Sequence, residues 1–196
     1  MTTLPYQEPV AEVLFWALLA LFILGEYAMR FRSFVNRSGT RAERSSLVVV
    51  VVGVVGGLLG GIYGAEHRIA TIGPGRWPLF VVGLILMAGG LFLRQWSIFV
   101  LGRYFTADVR IHEGQTVVDW GPYRWVRHPS YSGMVAFFGG LGLAFSSWFS
   151  LAVLIVVPTA GLVVRIRAEE RALLAGLGEP YARFAAGRAR LVPGVW

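Results

Sequence analysis

Residues 46–65 read SLVVVVVGVVGGLLGGIYGA, an apolar run without a charged side chain. Taken alone, a valine-rich run fits a buried strand as well as a helix. An isolated strand in lipid leaves its backbone N–H and C=O groups without partners, whereas a helix pairs them internally, so the run predicts a membrane-spanning helix. Its glycines at positions 53, 56, 57, 60 and 61 include the small-xxx-small spacing that permits close contact with another helix.

The composition of the whole chain supports the same class. Of its 196 residues, 56% are hydrophobic and 15% are charged, whereas soluble domains carry about 25% charged residues. We therefore expect residues 1–196 to form a single membrane-embedded domain, and the net charge of +7 not to indicate a nucleic-acid partner. The lack of cysteine excludes disulfides and thiolate catalysis, and three histidines without an acidic cluster argue against a metal site.

Further apolar segments are long enough to cross a bilayer, which takes about 20 residues. They are residues 9–28, residues 77–101 and residues 133–164, the last being interrupted at 146–148 and short for two full spans. We expect an all-α polytopic protein with about five transmembrane helices, the last two a tight hairpin, followed by a cytoplasmic C-terminal helical tail. Residues 1–29 lack the basic start of a signal peptide, so we expect the first span to be retained.

The arginines predict the orientation. All but two of the 18 basic residues, the exceptions being Arg68 and Arg76, fall on one side if the spans alternate. The positive-inside rule makes that side cytoplasmic. We therefore expect an inner-membrane protein with its N-terminus outside and its C-terminus inside.

Three polar clusters fall on the predicted cytoplasmic side. In LRQWSIFVLGRYFT (residues 93–106), Arg94 interrupts an apolar helix. An intramembrane arginine costs about 2.5–3.5 kcal/mol, so it needs a partner or a water-filled cavity. Snorkelling to the interface is the alternative.

The second cluster is GPYRWVRHPSYSG, residues 121–133. Pro129 favours a helix start, and the exposed N–H groups there, with Arg127 and His128, can bind an anion such as a carboxylate. An interfacial anchor is the alternative.

The third cluster is RIRAEERALLAGLGEPYARFAAGRARLVPGVW, residues 165–196. Arg165 and Glu169 lie four residues apart and share one helix face. A solvated helix leaving the membrane has the same pattern.

Together, these clusters resemble the isoprenylcysteine carboxyl methyltransferase family over residues 90–196, whereas the two spans in residues 1–66 carry no signature. The strongest parts are an RHPxYxG element, a Glu-Glu pair and a Gly-x-x-Tyr element; they comprise Arg127, His128, Pro129, Tyr131, Gly133, Glu169, Glu170, Gly178 and Tyr181.

The resemblance implies methyl transfer from S-adenosylmethionine, leaving S-adenosylhomocysteine, to a lipophilic acceptor that enters from the membrane. The name-giving acceptor is a prenylcysteine carboxylate. No strand followed by a G-x-G turn occurs, so the soluble dinucleotide-type fold is not expected. The cofactor-binding residues it implies are Tyr123, Arg127, His128, Pro129, Tyr131, Glu170 and Tyr181.

Roles follow from chemistry within the resemblance. Glu170 suits the donor's ammonium or ribose, Arg127 or His128 its carboxylate, and a tyrosine ring its sulfonium. Arg165 with Glu169 is expected to handle the acceptor. The family often has an arginine where this chain has Gly187, and we expect Arg188 to replace it.

Other functions fit parts of the sequence. Relatives of the family are associated with methylating phospholipid amines or small thiols. Membrane sterol reductases that use NADPH carry a similar RHP-type element. A non-enzymatic scaffold that binds anionic membrane lipids through its arginines is a third reading, at about 1 kcal/mol per arginine.

Overall fold

The computed structural model describes residues 5–35, 40–43, 45–106 and 108–196. Their architecture is predominantly helical, as predicted, with a short two-stranded sheet that was not predicted. The helices are α1 (Pro9–Val35), α2 (Ser45–Glu66), α3 (Arg76–Leu101), α4 (Pro129–Ala144), α5 (Trp148–Leu177) and α6 (Glu179–Ala186). The strands β1 (Thr40–Glu43) and β2 (Val109–Ile111) pair antiparallel.

Four of these helices, α1, α2, α3 and α5, are long and apolar enough to cross a membrane. The chain is therefore a multi-pass membrane protein. With 16 residues, α4 is about 24 Å long, which is shorter than the hydrocarbon core of about 30 Å. A fifth span stays a prediction.

Glycine allows the helices to approach closely. Along the contact of α3 with α4, a Cβ atom built on Gly90 would lie 2.5 Å from the carbonyl oxygen of Gly133. Along the contact of α2 with α5, a Cβ atom on Gly57 would lie 2.8 Å from Pro158. The close helix contact predicted from the glycines of residues 46–65 is thus confirmed.

Aromatic and aliphatic side chains of α1, α3, α4 and α5 form the core. The Phe22 and Phe137 rings stack with their centroids 4.1 Å apart, which joins α1 to α4. This core fixes the first span against the helices that carry the polar clusters.

Loops meet at two levels, at opposite ends of the helices. At one level β1, which follows α1, pairs with β2, which follows α3. At the other, Ile72 N donates to Ser146 O at 2.8 Å and Trp148 N donates to Ala70 O at 3.0 Å. At this second level α5 begins at Trp148. The Ser147 side chain is its N-cap and accepts a hydrogen bond from Ser150 N.

Candidate functional site

A cavity of about 830 Å³, open mouth included, lies at the β1–β2 level. Its walls are the C-terminal ends of α3 and α5, the start of α4, α6, and the segment 101–118 between α3 and α4. The structure brings seven of the predicted site residues to its lining: Tyr123, Arg127, His128, Tyr131, Arg165, Glu169 and Tyr181. Pro129, Glu170 and Arg188 do not line it.

Glu170 lies behind the cavity wall, where its carboxylate contacts two arginines and a histidine. Its Oε1 is 2.8 Å from Arg127 Nη1 and 3.3 Å from His128 Nε2, and its Oε2 is 3.0 Å from Arg190 Nε. The carboxylate is buried, and both of its oxygens are engaged. Glu170 is therefore placed to hold Arg127 and His128 in position.

The C-terminal segment, residues 189–191, forms hydrogen bonds with the residues at the start of α4. Arg127 N donates to Ala189 O at 2.9 Å and His128 N donates to Arg190 O at 3.0 Å. Ser132 Oγ adds a hydrogen bond of 2.6 Å to Leu191 O. Pro129, which has no N–H, begins α4 directly after these pairs. It starts the helix and does not line the cavity.

Tyr131, Glu169 and Arg165 form a second polar group, which faces the cavity. The Tyr131 hydroxyl donates to Glu169 Oε2 at 2.8 Å and accepts from Arg165 Nε at 3.4 Å. Arg165 Nη1 also donates to Ser46 Oγ of α2 at 3.0 Å. Although residues 1–66 carried no recognisable motif, α2 thus orients a predicted catalytic residue.

Two further tyrosines bring neutral hydroxyl groups to the cavity. Burial raises the pKa of Tyr181, helped by the negative charges of Glu170 and Glu169. Burial also raises the pKa of Tyr123, whose hydroxyl donates to Ser97 O at 3.3 Å. The Tyr181 hydroxyl is buried without a hydrogen-bond partner among the residues that the structure describes. It is available as a donor to a bound molecule.

Arg188 lies apart from this group. Its Nε donates to Arg124 O at 3.3 Å, its Nη1 donates to Phe184 O at 3.1 Å, and its guanidinium lies over the Phe184 ring. Arg190 is the tail arginine that reaches Glu170. A catalytic role for Arg188 stays a prediction without a contact to the cavity.

Segment 101–118 contributes the largest group of lining residues that were not among the predicted site residues. Residues 101–106 belong to the first polar cluster, which was the available signal. The segment has no regular hydrophobic period from which its course could be predicted. The segment contributes Leu101, Tyr104, Phe105, Thr106, Asp108, Arg110, Gln115, Thr116, Val117 and Val118.

Arg94 has a partner, so the snorkelling alternative is wrong. The guanidinium is buried, and its Nε and Nη2 both donate to the Glu26 carboxylate of α1, the Nη2 bond being 2.9 Å long. Its Nη1 donates to Ser130 Oγ at 2.8 Å. Arg94, which is on α3, thus links α1 to the first turn of α4.

A second cavity of about 480 Å³, mouth included, adjoins the first. Phe105, Thr106, Tyr131 and Arg165 line both cavities. The remaining lining of the second cavity comes from α1, α2, α3 and α4: Glu26, Met29, Arg30, Leu47, Val50, Arg94 and Met134.

A family model and several known proteins match part of this chain. The family model of the isoprenylcysteine carboxyl methyltransferase (ICMT) family matches residues 81–175. The chain is 32% identical over 120 residues to protein-S-isoprenylcysteine O-methyltransferase A of Arabidopsis thaliana, covering 60% of this chain and 61% of that protein. It is 30% identical over 111 residues to a probable protein-S-isoprenylcysteine O-methyltransferase of Oryza sativa subsp. indica, covering 56% and 58%.

A bacterial relative matches as well. The chain is 29% identical over 109 residues to the uncharacterized protein YpbQ of Bacillus subtilis (strain 168), covering 56% of this chain and 64% of that protein. The matched parts span about three fifths of the length of these relatives. The resemblance predicted from the polar clusters is confirmed: the core of this chain, residues 81–175, is similar to the isoprenylcysteine carboxyl methyltransferase family.

Proposed function

We propose that this protein transfers a methyl group from S-adenosylmethionine to a membrane-soluble acceptor, a carboxylate of the prenylcysteine type. The observation that carries the proposal is the pair of adjoining cavities that share Tyr131 and Arg165, the second of which combines apolar side chains with charged ones. The names of the plant relatives support the reaction class.

The lining of the first cavity suits the methyl donor in its chemistry. The Tyr181 hydroxyl, buried and unpartnered within the described part of the chain, is the donor that a bound molecule would satisfy. Apolar and aromatic residues of segment 101–118 suit an adenine ring, and Arg127 suits a carboxylate.

Glu169 is the better candidate for a direct contact with the donor's positive charge. Both Glu170 oxygens are already engaged by Arg127, His128 and Arg190, whereas Glu169 lines the cavity with one oxygen bonded to Tyr131. Glu170 then acts as a positioning residue. The bound donor supplies an electrophilic methyl group on its sulfonium.

An acceptor carboxylate needs no base, because it is ionised and nucleophilic at neutral pH. In the transfer, an oxygen lone pair forms the new O–CH₃ bond while the S–CH₃ electrons stay on sulfur, leaving a neutral thioether. Arg165, on the wall between the cavities, would hold that carboxylate. Tyr131 and Ser46 fix the Arg165 guanidinium, so positioning supplies most of the acceleration.

We further infer five membrane-crossing helices, with the site on the cytoplasmic side. The connection after α4 contacts the connection between α2 and α3, which supports α4 running between the two loop levels. The arginine-rich segments lie at the β1–β2 level, which supports a cytoplasmic site. Cysteine accessibility labelling at Trp120, before α4, and at Trp148, after α4, tests this because both residues are exposed. Labelling of both positions from the same side contradicts a crossing α4.

Calorimetry of the purified protein with S-adenosylhomocysteine tests the proposal. We expect binding that weakens at least tenfold in Glu169→Gln. We expect Arg165→Lys to keep the binding but to lose methylation of an S-prenylcysteine acceptor, because lysine cannot reproduce the planar fork of arginine. Arg183→Lys is the matched control, since Arg183 is exposed and pairs with exposed Glu179. No binding by the wild-type protein, or NADPH binding in its place, contradicts the proposal.

A further inference from the structure

Glu26 is a carboxylate on the first span, outside the family match of residues 81–175. It lies five residues before Phe31, the end of the candidate span Pro9–Phe31, and therefore about 7–8 Å from that end. A carboxylate at such a depth needs compensation. Arg94 provides it through two hydrogen bonds, one to each oxygen.

Pairing with Arg94 leaves part of Glu26 free for a ligand. A carboxylate has about four lone-pair positions and donates no hydrogen bond when ionised. The Glu26 side chain keeps 23% of its surface exposed, against 4% for Arg94, and it lines the second cavity. The surface that the pair offers to that cavity is therefore mostly a hydrogen-bond acceptor.

The lining of the second cavity suits an amphipathic molecule. Glu26, Arg94 and Arg165 form its polar part, and the exposed Arg30 lies next to Phe31, the last residue of the candidate span. Apolar lining continues deeper along two helices, with Val50 one turn beyond Ser46 on α2 and Met134 one turn beyond Ser130 on α4. Neighbouring α1 and α2 pack mainly on other helices, α2 on α5 and α1 on α3. An apolar chain thus has a lateral way in from lipid.

We propose that Glu26 is an acceptor-binding residue: it accepts a hydrogen bond from an N–H group of an acceptor whose carboxylate lies at Arg165. The site then selects acceptors with an amino-acid head, free or N-acylated, over simple lipophilic acids. The assignment to an acceptor rests on the proposed function, whereas the binding site itself does not. Selectivity arises because an acceptor without the N–H leaves the Glu26 lone pairs without a donor.

Kinetics with three matched acceptors test this: S-farnesylcysteine, its N-acetyl derivative, and S-farnesylthiopropionate, which has the carboxylate but no nitrogen. In Glu26→Gln we expect KM to rise about tenfold for the first two and to change less than twofold for the third. The affinity for S-adenosylhomocysteine should stay unchanged. Glu12→Gln is the matched control, since Glu12 is exposed on the same helix. Equal effects on all three acceptors, or none, would overturn the proposal and leave Glu26 as a structural partner of Arg94.

Two additions keep the outcome decisive. First, the binding of the three amphiphiles can be measured by tryptophan fluorescence in the absence of a methyl donor. This measurement separates the Glu26 proposal from the proposed function. A protein that methylates nothing but binds the nitrogen-bearing pair more tightly, with the preference lost in Glu26→Gln, supports the Glu26 site alone. If Glu26→Gln fails to fold, the double variant Glu26→Gln with Arg94→Gln removes both buried charges. A preference retained in that double variant overturns the proposal.

Discussion

The contact between α3 and α4 offers a sharp test of how the site is assembled, through Gly90→Ala. A Cβ atom on Gly90 would lie 2.5 Å from Gly133 O and 2.6 Å from Phe137 N. Both neighbours are backbone atoms of a helix, so they cannot turn away as a flexible side chain would. The helices must separate to admit one methyl group.

The magnitude follows from two opposing effects. Replacing glycine by alanine within a helix favours the folded state by about 0.5–1 kcal/mol, whereas overpacking costs about 1–3 kcal/mol. We expect Gly90→Ala to destabilise the protein by about 1 kcal/mol, the difference between the midpoints of these two ranges. Gly89→Ala is the matched control, because a Cβ atom there meets nothing within 4 Å. That variant should be neutral or slightly stabilising.

The assay is unfolding of both variants in mixed micelles, read by far-UV circular dichroism, together with S-adenosylhomocysteine binding. Separation of α3 from α4 should loosen the bond from Arg94 to Ser130 at the start of α4, so Gly90→Ala should also weaken ligand binding. Equal stability of the two alanine variants would refute the close packing of α3 on α4. It would also refute the idea that this packing positions the site.

The remaining predictions concern the cavity wall. Tyr181→Phe should leave stability unchanged or slightly higher, because the buried hydroxyl has no partner in the described residues. The same variant should weaken S-adenosylhomocysteine binding several-fold, which corresponds to about 1 kcal/mol for one hydrogen bond. Titration calorimetry and a melting curve check both, and unchanged affinity contradicts the assigned role. Arg190→Gln should weaken that binding by at most about 1 kcal/mol, since Arg190 is partly exposed beside Glu170. Arg188→Gln should weaken S-adenosylhomocysteine binding less than Arg190→Gln does. A larger loss of affinity in Arg188→Gln would indicate that Arg188 contributes to the site.

Much of this molecule follows from local sequence. The apolar runs predict helices because lipid leaves no other way to satisfy a lone segment's backbone, and α1, α2, α3 and α5 are long and apolar enough to span a membrane. The glycines of residues 46–65 predicted a close helix contact, which α5 makes. The RHP element and the acidic pair predicted the family resemblance, because each motif can be recognised from a few neighbouring residues and their order along the chain.

Only the tertiary structure decided which of those residues line the cavity and which hold other side chains in place. Glu169 and Glu170 are neighbours in sequence, yet one faces the cavity and the other binds Arg127, His128 and Arg190 behind it. The partner of Arg94 is Glu26, 68 positions away, and segment 101–118 encloses the cavity without a periodic pattern. Such pairings depend on which helices pack together, and no local property of the chain encodes which two helices become neighbours.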